Sequence, residues 1–407
     1  MADDKKSKKK KIGFTVLAIV VVIALFLLIF GKKIFYKIAA HYIYSNVKKV
    51  EEQTTPAAEV ANETESNISE TEDAGIDMTD IGSGEYDVRD EDYITNFLII
   101  GIEDIEGASN TDTMIIATVD TKTDEIKLTS LMRDSYVEIP GYKSNKLNSV
   151  YSKGGIDLLI DTIELNYKIA IDGYATVNLE DFENVVDVLG GIDIELSSEE
   201  VEYLNTTNYI SDYSNHTLRK GMNHMNGNQV VGYCRVRKIA TIEGDDSDYG
   251  RTLRHRKVLQ AIFDQYMSND MFELYNITGK CLSYVTTDLS ESEIEKVISE
   301  VVDNKIMTMD TSRLPVDDAY TDTKEGGPIP YSLIYDWDVN VIELYKFIYD
   351  DTYEEAVDKY NMVLKSRGED TIEATCEDTE DDDLQGSSGS KKNNVESEES
   401  GYKKKGY

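Results

Sequence analysis

Asn96 to Ile102 reads NFLIIGI, an apolar run with no charge. A run of that length is expected of a strand buried inside a layered domain. Glu103 and Asp104 follow at its C-terminal edge. Working outward, MIIATV (Met114–Val119) and IKLTSLM (Ile126–Met132) read as two more strands. The polar loop Asp120–Glu125 joins them as an antiparallel hairpin. Gly155–Tyr167 then carries Ile156, Leu159, Ile160 and Ile163 on one helical face. Tyr174–Asn178 reads as a strand, Leu179–Leu189 as a helix and Gly191–Leu196 as a strand. Ser290–Val301 and Val339–Tyr349 add two helices. Strands alternating with helices predict an α/β fold, an α+β sandwich with a mixed central sheet flanked by helices.

The chain has 42 Lys plus Arg against 78 Asp plus Glu, a net charge of −36. Against that background Arg235, Arg237, Lys238, Arg251, Arg254, Arg256 and Lys257 crowd into one short stretch, with His255 among them. Guanidinium groups are planar forks of donors that stay charged, which suits a phosphate or pyrophosphate. The competing reading is a solvated face paired with Glu243, Asp245, Asp246 and Asp248. Spacing favours the anion site. Gly250–Met267 reads as a helix whose apolar face is Val258, Leu259, Ile262, Phe263, Tyr266 and Met267. Extended backwards, that face takes in Arg251, Arg254 and His255, where charge is costly without a partner anion. Arg256 and Lys257 fall with Gln260, Ala261 and Asp264 on the solvent side. If Cys234–Arg237 is extended, Arg235 and Arg237 share one side and Val236 takes the other. A bound diphosphate beside His255 is expected to favour the charged imidazole.

A second cluster forms at the strand ends. In the hairpin geometry, Asp112 before one strand and Arg133 after the next lie at the same end. Together with Glu103 and Asp104 they suit a hard divalent cation, since Mg²⁺ is commonly held by one or two carboxylates plus substrate phosphates. Strand ends are polar in any case, so this cluster alone leaves both readings open.

Residues 1–11 form a basic tail, with Lys5, Lys6 and Lys8 to Lys11, and residues 12–30 form an uncharged apolar run. A run of that length can cross the roughly 30 Å hydrocarbon core as a helix. The positive-inside rule then puts the N-terminus in the cytoplasm and the rest outside, on a single-pass cell-membrane anchor. A cleaved signal peptide fits less well, because the run is long and lacks a clean cleavage site. Residues 31–92 read as a juxtamembrane segment followed by an acidic, disordered stalk (Glu51–Asp92). Residues 93–365 are long enough for one large extracellular domain, and 366–407 read as a disordered acidic tail. Three scattered cysteines make no disulfide framework, and four scattered histidines give no zinc spacing. An external protein without paired cysteines is compatible with a Gram-positive or anaerobic cell surface. The negative charge and outside location argue against nucleic acid as a partner.

At this point the order of motifs carries a resemblance. NFLIIGIED, TDTM, SLMRDSYVEIPG, KLNSVYSKGG, VDVLGGIDIEL, MNGNQVVGYCRVR and SDYGRTLRHR, taken in series over Asn96 to Met267, resemble the LytR-CpsA-Psr family. The resemblance implies an envelope enzyme that moves a phosphorylated glycopolymer, such as teichoic acid or capsule, from a polyprenyl-pyrophosphate carrier to peptidoglycan. It implies an apolar tunnel for the lipid. It implies Arg133, Arg235, Arg237 and Arg251 on the pyrophosphate, with Asp248 near them, and Mg²⁺ (or Mn²⁺) on Glu103 and Asp112, with Asp104 as a substitute for Glu103. Three positions depart from the family pattern: Glu103 stands for Asp, Asn110 for Arg and His255 for Gln. Of helix-face residues that could line a tunnel, Leu159, Ile163, Phe182 and Val186 are equally good core. A binding protein for polyprenyl phosphate without turnover, or an envelope-related transcriptional attenuator, remains an alternative function.

Overall fold

The three apolar runs lie side by side in a seven-stranded mixed sheet. The computed structural model describes residues 33, 35–49, 86–105, 108–269, 271–303, 306 and 308–373. Helix α1 (residues 35–46) precedes β1 (Lys48–Lys49), β2 (Ile94–Ile105), β3 (Ala108–Asp120) and β4 (Glu125–Leu131). After β5 (Tyr136–Ile139) and β6 (Tyr142–Lys146) come α2 (Tyr151–Tyr167), β7 (Gly173–Asn178), α3 (Leu179–Val188) and β8 (Ile192–Leu196). Then follow α4 (Ser198–Thr206), β9 (Gly221–Met225), α5 (Gly227–Cys234), α6 (Ser247–Met267) and α7 (Met271–Leu282). The chain continues through β10 (Thr286–Thr287), α8 (Glu291–Asp303), β11 (Thr308–Leu314), β12 (Tyr320–Asp322) and β13 (Leu333–Tyr335) to α9 (Trp337–Tyr349) and α10 (Tyr353–Ser366).

The sheet order is β1-β10-β7-β2-β3-β4-β11. β2 is antiparallel to β3 and parallel to β7, and β4 is antiparallel to β3 and parallel to β11. The predicted mixed sheet flanked by helices is therefore present. One expected strand lies elsewhere: β8 pairs with β9 in a separate two-stranded sheet. Its alternating burial, Ile192, Ile194 and Leu196 in and Asp193 and Glu195 out, is that of a strand covered on one side.

The two faces of the central strands differ. Leu98, Ile100, Met114, Ile116 and Leu131 are buried against Leu159 and Ile163 of α2 and Leu344 and Ile348 of α9. Direct cross-strand partners share a face, so Phe97 and Ala117 lie together, as do Ile99 and Ala175, and Gly101 and Thr113. On this second face Phe97, Ile99, Ala117, Ala175 and Val177 are half-buried, while Ile115 and Leu128 between and beside them are buried.

The expected juxtamembrane segment and the C-terminal end of the expected stalk both make contacts with the domain. α1 buries Ala40 and Ile43 against Ile294 of α8, and β1 joins the sheet edge beside β10. At the far end Arg89 is buried, pairs with Asp351 and Glu91, and stacks 3.6 Å from the Tyr349 ring centroid. The acidic stretch is thus flanked on both sides by segments attached to the domain. Beyond residue 365, Arg367 donates to the carbonyls of Leu165 and Glu164, and the Ile372 N–H donates to Asn361. The apolar run 12–30 and the tail from 374 lie outside the described residues. Among those described, no helix is long and apolar enough to cross a membrane.

Candidate functional site

The arginine segment is set by two helices. α5 opens with a capping box between Asn226 and Gln229, and Arg235 is its C-cap in the helical region. Cys234–Arg237 is therefore not extended, contrary to the expectation. The predicted sidedness survives for a different reason: Val236 is buried while Arg235 and Arg237 are exposed. The Ser247 N–H at the start of α6 donates to the Arg237 carbonyl at 2.8 Å, fixing the segment to that helix.

The strand side of the site rests on a bulge. β2 and β3 run in register until Gly101 faces Thr113, after which Ile102 faces Thr111. Asp112 is the extra residue between them. A bulged residue escapes strict alternation, so its side chain is re-aimed. Asp112 and Thr113, though consecutive, both line one cleft of about 210 Å³ with Gly101, Ile102, Leu179, Tyr209, Cys234, Arg235, Arg237, Arg251 and His255.

Carboxylates hold the arginines. Asp112 Oδ1 lies 2.6 Å from Arg133 Nη1, and its Oδ2 lies 3.4 Å from Arg251 Nη1. Asp248, in the first turn of α6, faces Arg133 Nε at 2.9 Å, Arg251 Nη2 at 3.3 Å and Arg237 Nε at 2.8 Å. Burial alone would raise the Asp248 pKa, but Arg251, Arg133 and Arg237 outweigh it and hold the carboxyl below its usual range. Arg133 is likewise held above its ordinary value, since Asp248 and Asp112 outweigh its burial. Arg251 is lowered by burial and by its cationic neighbours. Asp134 extends the network, 3.5 Å from Arg133 Nε and 2.9 Å from Lys146 Nζ. The Arg235 guanidinium sits 6.0 Å from the Tyr209 ring centroid.

Arg133, Arg235, Arg237, Arg251, Asp112, Asp248 and His255 are therefore brought together. Arg254 is not. It is fully buried one turn further along α6, bonded to Glu200 at 2.9 Å and to the carbonyls of Val236 and Ile239. The helical stripe pointed it inward correctly, but inward here means the core. Arg256 is corrected too: it is partly buried, with Nη1 lacking a hydrogen-bond partner, and burial beside Arg313 pushes it down to about 10. His255 departs from the expected charged ligand. Its Nε2 lies 3.0 Å from the Cys234 carbonyl and its Nδ1 3.2 Å from Thr113 Oγ1. Burial and the Arg251 charge lower its pKa to about 4, so the ring is neutral near pH 7.

Glu103 and Asp104 continue β2 past the bulge, paired with Asn110 and Ser109. Their side chains fall outside the described residues. Among those described, no group of three or more His, Cys, Asp or Glu could hold a metal. Asp112 alone is a described carboxylate facing the cleft, which fits an ion that takes one or two protein ligands and fills its shell with phosphate oxygens. Of the tunnel candidates, Leu159, Ile163 and Val186 are fully buried core and only Phe182 is partly exposed. Sequence reasoning missed Thr113, Tyr209, Leu179 and Asp134.

The described domain is α/β and carries a carboxylate-braced arginine cleft at the end of its central sheet, a donor arrangement whose chemistry suits a phosphorylated anion. The chain belongs to the LytR_cpsA_psr family, whose model matches residues 41–328. It is 30% identical over 267 residues to a polyisoprenyl-teichoic acid–peptidoglycan teichoic acid transferase TagU of Bacillus licheniformis, covering 65% of this chain and 73% of the relative. A TagU of Enterococcus faecalis is 29% identical over 293 residues, covering 72% and 83% of the two chains. The crystal structure of B. subtilis TagV superposes with a TM-score of 0.48 at 27% identity, covering 64% of this chain and 99% of that one.

Proposed function

We propose that this chain is a membrane-anchored, extracellular glycopolymer phosphotransferase. It moves a phosphorylated glycopolymer from a polyprenyl-pyrophosphate carrier to peptidoglycan. The carrying observation is a continuity: the half-buried apolar face of Ile99, Phe97, Ala117 and Ala175 leads, through Gly101 and Thr113, into the arginine cleft. One surface thus offers a lipid chain an apolar bed and its diphosphate a cationic end. The names of the TagU relatives support the same donor and acceptor classes.

In this reading Arg235, Arg237 and Arg251 bind the diphosphate oxygens and Arg133 supports them from between Asp112 and Asp248. A peptidoglycan sugar hydroxyl attacks the glycopolymer-side phosphorus. The new P–O bond forms as the bond to the bridging oxygen breaks, and polyprenyl phosphate leaves with the electron pair. Positioning and charge stabilisation supply most of the rate. Asp112, with Glu103 or Asp104, would hold Mg²⁺, or Mn²⁺ in its place, which supplies charge neutralisation at the phosphate oxygens. Asp248 is a poor base, because three guanidiniums hold it ionised; it is better read as the residue that positions them. The hydroxyl proton then goes to solvent or to the departing phosphate.

The test is full-length protein in proteoliposomes with labelled lipid-linked donor, Mg²⁺ and peptidoglycan. Label on peptidoglycan with equal release of polyprenyl phosphate is the expected result. Tight donor binding with no transfer would replace the enzyme by a carrier-binding protein. Protease applied to intact wall-stripped cells checks the topology, and protection of the large domain would overturn the extracellular reading.

A further inference from the structure

His255 sits on α6, but its two ring nitrogens reach two other elements. Nε2 faces the Cys234 carbonyl on α5 at 3.0 Å, and Nδ1 faces Thr113 Oγ1 on β3 at 3.2 Å. A carbonyl only accepts, so Nε2 carries the hydrogen and donates to it. Nδ1 of the neutral ring then accepts from the Thr113 hydroxyl. The buried setting and the neighbouring Arg251 charge disfavour a second proton.

Both ends of this bridge line the cleft beside its charged residues. Cys234 immediately precedes Arg235, and its carbonyl belongs to the last turn of α5, where carbonyls lack intrahelical partners. Thr113 immediately follows the bulged Asp112, and a Cβ placed on Gly101 would come 3.0 Å from the Thr113 Cβ. Thr113 is therefore seated closely over Gly101, and the bulge beside it has a defined position.

We propose that His255 is a positioning residue, a neutral imidazole strut that fixes the distance between the Asp112 wall of the cleft and the Arg235 wall. It does not bind the diphosphate. The inference rests on the transferase reading above only for its kinetic consequence. The chemistry required is one donor and one acceptor on a side chain of this reach. A Gln amide supplies both; a Leu of similar bulk supplies neither and leaves the Cys234 carbonyl and the Thr113 hydroxyl without their partner.

The experiment uses full-length wild type, His255→Gln and His255→Leu in detergent, all checked for an unchanged melting transition. Transfer kinetics should show kcat falling by about 10- to 100-fold in His255→Leu, the scale expected when reacting groups are misplaced by an ångström or less. KM for the lipid-linked donor should change far less, and His255→Gln should recover most of kcat. If His255→Leu keeps wild-type kcat, or His255→Gln does no better than it, the strut is overturned. A readout without turnover separates this from failure of the transferase reading. The ¹⁵N spectrum of His255 should show the neutral Nε2–H tautomer at pH 7, unchanged on adding farnesyl diphosphate. Farnesyl diphosphate affinity should fall far less than kcat does in His255→Leu and hold in His255→Gln. Wild type inactive in transfer but behaving this way keeps the strut and removes the transferase. A ring that protonates or changes tautomer on adding the diphosphate is a ligand, and overturns the proposal.

Discussion

Arg254 and Glu200 meet inside the protein: Arg254 Nη2 lies 2.9 Å from Glu200 Oε1, and the two side chains are 0% and 1% exposed. Nε also reaches the same carboxylate at 3.2 Å, and the Val236 and Ile239 carbonyls accept two more of its hydrogens. The pair ties α4 and the arginine segment to α6, behind the cleft rather than in it. Removing one partner leaves an uncompensated buried charge, so Arg254→Ala should destabilise by about 3–5 kcal/mol. Replacing both, Arg254→Met with Glu200→Leu, should recover much of that loss. Urea denaturation of the single and double variants checks it. A single variant as stable as wild type would show that the pair carries no weight.

Asp112→Asn keeps the shape and an acceptor oxygen but loses the charge that balances Arg133 and Arg251 and would face Mg²⁺. The residue is partly exposed on a bulge, so the fold should survive. Loss of several kcal/mol of charge stabilisation corresponds to a fall in turnover of on the order of 100-fold or more. The measurement is transfer rate against Mg²⁺ concentration. Undiminished turnover with Mg²⁺ still required would remove Asp112 from the metal site.

Arg237 and Arg256 provide a contrast within one basic cluster. Arg237 lines the cleft, so Arg237→Ala should weaken binding of a polyprenyl diphosphate analogue by about 2–5 kcal/mol. Arg256 lies outside that lining, partly buried, with an unsatisfied Nη1 and a cationic neighbour in Arg313. Its charge costs the folded state something, so Arg256→Met should leave affinity alone and leave stability unchanged or raise it by up to about 1 kcal/mol. Calorimetric titration and thermal melts of both variants decide it. Equal affinity losses at the two positions would mean the cleft has been drawn in the wrong place.

How much of this was legible depended on distance along the chain. β2, β3 and β4 could be read because a buried strand is an apolar run whoever its neighbours are. Arg235, Arg237 and Arg251 could be read because their excess stands out in an acidic chain. Periodicity pointed Arg254 and His255 inward, and both do point inward. It could not say that Glu200 waits for one, or that Thr113 and the Cys234 carbonyl wait for the other. The Asp112 bulge was invisible because a bulge is a property of two strands' hydrogen bonding and leaves no composition signal here. Arg89 reads as part of a stalk in sequence because its partners, Asp351 and the Tyr345 and Tyr349 rings, lie far along the chain.

His224 gives a pH dependence that can be signed. It stands directly across from Asp193 in the two-stranded β8–β9 sheet, with Nδ1 2.7 Å from Asp193 Oδ1 and Nε2 2.8 Å from the Gly190 carbonyl. Both nitrogens face acceptors, so only the doubly protonated ring donates to both. The hydrogen bond to Asp193 and that to Gly190 raise its pKa above the ordinary value of 6.5. A raised folded-state value means the folded protein binds the proton more tightly than the unfolded chain. The stabilisation is therefore complete below about pH 6.5 and is lost as pH rises through the raised value. Both side chains are more than half exposed, so solvent screening limits the effect to no more than about 1 kcal/mol. His224→Gln retains the β8–β9 contacts but cannot titrate. Thermal melts of the two proteins from about pH 5.5 to pH 8.5, a window around the reference imidazole value, should show wild type favoured at the acid end. The difference should shrink toward the alkaline end. A difference that is constant across the range, or grows with pH, would mean that His224 is held neutral in the β8–β9 sheet.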